Sequence, residues 1–102
     1  MKKILFIEDE ESLQRAMGTM LEQRKLQLFK ALNGDEGLAI AKKEIPDLIL
    51  LDLILPKKNG FEVLGELKKD PATKDIPIIV LTNLEGSADI ERALALGATT
   101  YL

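Results

Sequence analysis

The stretch Asp47-Leu48-Ile49-Leu50-Leu51-Asp52 is a continuous run of apolar residues between two aspartates. A strand with one face in water alternates apolar and polar residues, whereas this run is apolar at four consecutive positions. We therefore predict a strand over residues 47–52 that is covered on both faces, as the strands of a parallel sheet are.

Similar segments lie on both sides of this strand. Ile4–Ile7 and Ile76–Thr82 are further apolar runs, Leu26–Leu32 is a weaker strand that ends at the turn-forming pair Asn33-Gly34, and Ala98–Leu102 begins a last strand. Because strands of this kind alternate with helices, we predict the order βαβαβαβαβ.

The intervening segments have helical spacing of apolar residues. They predict helices over about residues 11–24, 36–43, 61–69 and 88–96. On the first of these, Met17 and Met20 are predicted to lie in the core. The alternation predicts one α/β domain, with a doubly wound, flavodoxin-like parallel sheet of five strands and helices on both faces.

The composition excludes several classes of function. The chain has 102 residues, a formal net charge of −3, and neither histidine nor cysteine. These absences exclude Ser-His-Asp and Cys-His catalysis, Cys/His zinc sites and disulfides within this chain. The negative net charge means that the chain lacks the excess of basic residues that binds the nucleic-acid backbone, so we expect no direct nucleic-acid binding. No stretch is long enough to span a membrane and no signal peptide is visible, so we expect a cytoplasmic protein without membrane contact.

Functional side chains follow three of the predicted strands. Glu8 and Asp9 come after the first strand, Asp52 ends the third, and Thr82 ends the fourth. Ligands of doubly wound sheets bind at the carboxyl ends of the strands. Acids that converge there repel one another unless a cation lies between them. With only oxygen ligands available, the cation favoured is Mg²⁺ before Ca²⁺.

A metal held by a few carboxylates suits the orientation of phosphoryl oxygens. A carboxylate beside it can act as a nucleophile and form an aspartyl-phosphate. Thr82 can then donate a hydrogen bond to the arriving phosphoryl group. These residues therefore indicate phosphoryl chemistry at the edge of the sheet.

The chain resembles a bacterial two-component response regulator receiver domain of the chemotaxis-regulator kind. The match extends over the whole chain. The residues that carry it are Lys3–Glu10, Pro46–Asp52 with Pro56 and Gly60, Pro77–Thr82, and Gly97-Ala98 with Tyr101.

The resemblance implies the following metal site. Asp52 would be both the phospho-acceptor and a ligand of Mg²⁺. Glu8 and Asp9 would be the acidic pair at the ion, Asp9 more directly, and the backbone carbonyl of Ile54 would supply a further oxygen.

The resemblance also implies a switch and a donor. Thr82 would contact the phosphoryl group and move towards it, and Tyr101 would change rotamer with it. The donor would be a phosphohistidine on a sensor histidine kinase or phosphotransfer protein. The chain would therefore be a phosphoprotein of a two-component phosphorelay and not an enzyme, apart from slow self-dephosphorylation.

The sequence departs from the family at its end. The lysine that the family carries after its fifth strand would fall two residues beyond Leu102, and the fifth helix would follow it. We therefore expect residues 1–102 to form a receiver domain that is incomplete at its C-terminus. Its first helix and last strand would be partly uncovered, which favours a homodimer or lower stability.

Three alternatives stay open. The first is a receiver-like interaction module that is not phosphorylated in this form. The second is a flavodoxin-like nucleotide binder, which Glu8–Glu11 disfavour because four acids would repel a phosphate. The third is a metal-dependent phosphatase, which would need a second acid or base near Asp52, where Ile54 occupies one of the obvious places.

Overall fold

Strands and helices alternate along the whole described chain. The computed structural model describes residues 2–81 and 87–101, of which residues 87, 88 and 101 are described by their backbone alone. The elements are β1 Lys3–Ile7, α1 Glu11–Gln23, β2 Gln27–Ala31, α2 Gly34–Glu44, β3 Leu48–Asp52, α3 Gly60–Lys69, β4 Ile78–Leu81, α4 Ser87–Ala95 and β5 Thr100–Tyr101. No described helix is long and apolar enough to cross a membrane.

The strands form one sheet in the order β2-β1-β3-β4-β5, and every neighbouring pair is parallel. The predicted doubly wound parallel sheet of five strands is therefore confirmed. From β1 the chain places β2 on one side, and it then places β3, β4 and β5 in succession on the other side. Doubly wound sheets bind their ligands at such a reversal, beyond the carboxyl ends of β1 and β3.

One face of the sheet is covered by three helices. Alternate strand residues such as Leu5, Ile49 and Ile78 are fully buried on this face. The helices α2, α3 and α4 pack there, and they contribute Ala41, Val63, Leu64, Leu67 and Ala93. This cluster is the larger of the two apolar cores.

The opposite face is covered less completely. Its cluster contains Phe6 and Leu50 from the sheet and Leu21 from α1, with Met17 packed against it. Among the described residues, α1 is the one helix in this cluster. Met20 is 44% exposed, so the prediction that it lies in the core is wrong. It lies on a flank of α1 that faces solvent.

The start of α2 also differs from the prediction. We predicted that Asn33-Gly34 forms a turn and that the helix begins near Glu36. Instead the helix begins at Gly34, and the side chain of Asn33 accepts a hydrogen bond from the Glu36 N–H over 2.9 Å. Asn33 is therefore the N-cap, a role for which asparagine is as well suited as for turns.

Candidate metal centre

Three carboxylates meet at the carboxyl edge of the sheet. Glu8 is the first residue after β1, and Asp52 is the last residue of the neighbouring strand β3. One oxygen of Glu8, one of Asp9 and one of Asp52 lie within 4.8 Å of one another. The three acids therefore lie close together, as the sequence predicted.

The three side chains differ in their surroundings. Glu8 is only 6% exposed, Asp52 is half-buried and Asp9 is exposed. Two backbone N–H groups orient the less exposed acids: that of Glu10 donates to Oε2 of Glu8 over 3.1 Å, and that of Ile54 donates to Oδ1 of Asp52 over 3.0 Å. The ion pairs of the described residues involve Lys3, Lys42 and Lys58, and none of them includes a member of this cluster.

Glu8 and Asp52 hold their protons more tightly than free carboxylates do. Burial is the largest cause that raises the pKa of Glu8, to about 7, and the neighbouring Asp9 and Asp52 add to it. Burial is also the main cause that raises the pKa of Asp52, against the N–H of Ile54, which lowers it. Desolvation thus disfavours negative charge here more than repulsion between the acids does.

A divalent cation fits these residues chemically. Mg²⁺ takes oxygen ligands at about 2.1 Å, so its opposite ligands stand roughly 4.2 Å apart. The carboxylate oxygens lie within 4.8 Å of one another, close to that spacing. A cation would offset both the burial and the mutual repulsion of the three acids. Glu8, Asp9 and Asp52 are accordingly a candidate site for a hard cation.

The other predicted site residues are placed less completely. Ile54 lies in the loop after β3, and its side chain is 56% exposed. Tyr101 belongs to β5 and pairs with Val80 of β4, while its side chain is not described. Thr82 lies outside the described residues. The proposed switch roles of Thr82 and Tyr101 therefore stay predictions.

Gly60 lets α3 start directly against the end of β3. Its N–H donates to the carbonyl oxygen of Leu53 over 3.0 Å. A Cβ at this position would stand 2.6 Å from the carbonyl oxygen of Asp52. A glycine here thus shapes the loop that carries the central aspartate.

Gln14 is a residue beside this site that the sequence patterns did not identify. This α1 residue is 1% exposed, and its side-chain amide donates to backbone carbonyls at the ends of β1 and β2, including that of Glu8. A signal was present, since Gln14 precedes Met17 by three positions and Leu21 by seven, which places it on the buried stripe of the helix.

Comparison with known proteins shows the family to which the chain belongs. Residues 4–102 match the response regulator receiver domain family. The chain belongs to this family of two-component signalling modules, as the resemblance indicated. A relative named "Probable transcriptional regulator ycf27", from Porphyridium aerugineum, is 42% identical over 101 residues, which are 99% of this chain and 41% of the relative. The chain therefore spans less than half the length of that relative.

Solved structures of receiver proteins have the same fold. The Mn²⁺-bound form of response regulator Rcp1 superposes with a TM-score of 0.90 at 35% identity, covering 100% of this chain and 80% of that one. The phosphorylated cyanobacterial phytochrome response regulator RcpA gives a TM-score of 0.87 at 36% identity, covering 99% of this chain and 79% of that one. This chain is thus similar to one receiver protein solved with a divalent metal and to another solved with a phosphoryl group.

Proposed function

We propose that this receiver domain accepts a phosphoryl group on Asp52 in a reaction that requires Mg²⁺. The observation that carries the proposal is the approach of three carboxylate oxygens to within 4.8 Å at the carboxyl edge of the sheet. The metal-bound and phosphorylated relatives support it. The donor is a phosphohistidine on a sensor histidine kinase or phosphotransfer protein.

Different residues of this chain would hold the metal ion and orient the phospho-acceptor. Glu8, Asp9 and Asp52 would hold Mg²⁺, together with the backbone carbonyl of Ile54. When bound, the ion supplies positive charge for the phosphoryl oxygens. The Ile54 N–H keeps Oδ1 of Asp52 in place, so that the carboxylate is oriented before the donor arrives.

In the transfer step, a carboxylate oxygen of Asp52 forms a bond to phosphorus. The bond between phosphorus and the donor's imidazole nitrogen breaks at the same time, and its electron pair leaves with the imidazole, which takes up a proton from water. Thr82 donates a hydrogen bond to the transferred phosphoryl group, and Tyr101 changes rotamer in response. The chain turns over no other substrate, and at most loses its phosphoryl group slowly to water.

Incubation with acetyl phosphate tests the proposal without a kinase. The 102-residue chain is treated with and without excess EDTA, and the intact mass is measured. We expect a gain of one phosphoryl mass that depends on Mg²⁺. Labelling of equal extent in EDTA would contradict a role for the metal.

The same samples separate this proposal from the receiver-like interaction module. If Mg²⁺ binds in a calorimetric titration but no phosphoryl mass appears with either acetyl phosphate or phosphoramidate, this form of the chain is not an acceptor. A partner-binding role would then replace the proposal.

A further inference from the structure

Gln14 joins α1 to the ends of two strands beside the acidic cluster. Its Nε2 donates to the carbonyl oxygens of Phe6 over 2.9 Å, Glu8 over 3.1 Å and Ala31 over 3.2 Å. A side-chain amide has only two N–H bonds, so at least one hydrogen is shared between carbonyls. The side chain is 1% exposed, so these bonds are shielded from solvent.

The backbone pairing of β1 with β3 stops short of the acids. The pairing of β1 with β3 ends at Ile7 and Leu51, one residue before Glu8 and Asp52 respectively. Beyond that point, Glu8 is held by its N–H, which donates to the carbonyl of Ala31 over 2.9 Å, and by the Gln14 bond to its carbonyl. Gln14 thus continues the anchoring of β1 past the end of the strand pair.

The oxygen of the Gln14 amide indicates that the N–H donors are the part of this side chain that contributes to the structure. Oε1 is buried and has no hydrogen-bond partner in the described part of the chain. Leaving a buried acceptor unpaired is unfavourable, and a methionine of similar length would fill the same space without it. The unpaired Oε1 of Gln14 therefore lowers stability relative to an apolar side chain at this position. The favourable contribution of the amide is the set of hydrogen bonds from Nε2.

We propose that Gln14 is a positioning residue for the metal centre: its amide fixes the backbone of Glu8, and through it the spacing of the Glu8 and Asp9 carboxylates from Asp52. This inference rests on the proposed function, because it concerns affinity for Mg²⁺. Residues that orient metal ligands typically change affinity by about 10–100-fold when they are replaced. We expect about a tenfold loss in Gln14→Met.

The matched control is Thr73→Val. Thr73 is fully buried, and its Oγ1 donates to the carbonyl of Leu67 over 2.7 Å. This variant therefore also loses a buried bond from a side chain to the backbone, but in the connection between α3 and β4. Both variants and the wild-type chain are titrated with Mg²⁺ by calorimetry, at a temperature where circular dichroism shows each to be folded.

The positioning role predicts that Gln14→Met binds Mg²⁺ about tenfold more weakly than the wild-type chain, and that Thr73→Val stays within about twofold of it, since it makes no contact with the acids. Equal affinity of Gln14→Met and the wild-type chain would overturn the inference. So would equal weakening in both variants, because general loosening of the fold would then explain the loss. A wild-type chain that does not bind Mg²⁺ would instead contradict the proposed metal site.

A second variant keeps the inference testable if Gln14→Met does not fold. Gln14→His retains one N–H donor and is uncharged at about pH 8. Its affinity for Mg²⁺ should lie nearer to that of the wild-type chain than the affinity of Gln14→Leu, which has no donor. Equal affinities of Gln14→His and Gln14→Leu would contradict the inference.

Discussion

The carboxylates of Glu8 and Asp52 lie within 4.8 Å of one another at the ends of adjacent parallel strands. Each is withdrawn from water, and burial raises the pKa of both. Without a cation, Glu8 and Asp52 therefore favour proton uptake, whereas a bound cation would favour their ionised forms. Protons and Mg²⁺ should compete for the same oxygens.

The first prediction is that the contribution of Glu8 to the stability of the metal-free chain falls as pH rises. Burial raises the pKa of Glu8 from 4.5 to about 7. Between about pH 4.5 and 7 the folded chain holds a proton that the unfolded chain has released, so this contribution is complete below about 4.5 and is lost as pH rises through about 7. Urea titrations in EDTA at several pH values measure the free energy of unfolding.

Glu8→Gln isolates that contribution from those of the other acids. The glutamine does not titrate, so the difference in unfolding free energy between the two chains should change with pH over this window. Parallel pH profiles for the wild-type chain and Glu8→Gln would contradict the prediction.

The second prediction concerns Asp9, the exposed member of the cluster. In Asp9→Ala the affinity for Mg²⁺ should fall by about tenfold or more, because the ion loses a charged oxygen ligand. Glu11→Ala is the matched control, since it removes the same charge two positions away, from an exposed residue in the first turn of α1. Calorimetric titrations that give the same affinity for both variants would show that Asp9 acts only through general charge.

The third prediction compares two glycines of α3. A Cβ at Gly60 would stand 2.6 Å from the carbonyl oxygen of Asp52, whereas a Cβ at Gly65 would meet nothing within 4 Å. Gly60→Ala should lower the free energy of unfolding by about 1–3 kcal/mol through overpacking. Gly65→Ala should raise it by about 0.5–1 kcal/mol through the better helix propensity of alanine. Urea denaturation showing the same sign for both changes would contradict this account.

The fourth prediction concerns the open flank of α1. A groove of about 310 Å³ runs beside this helix, and its lining includes the apolar residues Leu13, Met17, Met20 and Leu81 together with the acids Glu8 and Asp52. Leu13 is 45% and Met20 is 44% exposed. Exposed apolar surface of this kind favours pairing with a second copy. The 102-residue chain should therefore form a dimer whose fraction rises with concentration, as measured by light scattering.

Met20→Lys should weaken this dimer. Ile45→Lys is its control, because Ile45 is as exposed, at 47%, but directly follows α2 and does not line the groove. A wild-type chain that stays monomeric at all concentrations, or equal weakening by both substitutions, would contradict pairing through α1.

The sequence predicted the acid cluster because its signals are local. A buried strand is visible as an apolar run, and the acid at its end follows from the same run, so Asp52 and Glu8 could be placed at one edge once the sheet was known to be parallel. The local sequence pattern could not predict the main cause of the raised pKa values of these two acids. We expected repulsion between acids, whereas burial is larger, and burial depends on the packing of the neighbouring elements.

The errors on α1 have a related origin. Helical spacing assigns a broad apolar face but not the part of it that another element covers. Met20 is on that face and is exposed, while the polar Gln14 is buried because three backbone carbonyls lie within reach of its amide. These carbonyls belong to the ends of β1 and β2, which are far apart in sequence. No single segment of the sequence therefore indicates that Gln14 is buried.

The most direct test of the central claim is to locate the phosphoryl group after treatment with acetyl phosphate and Mg²⁺. Reduction with borohydride followed by peptide mass mapping identifies a phosphorylated aspartate by the homoserine it leaves. We predict a single modified residue, Asp52, and no modification in Asp52→Asn, whose amide is a poor nucleophile. Modification at another residue of the wild-type chain, or equal labelling of Asp52→Asn, would contradict the account.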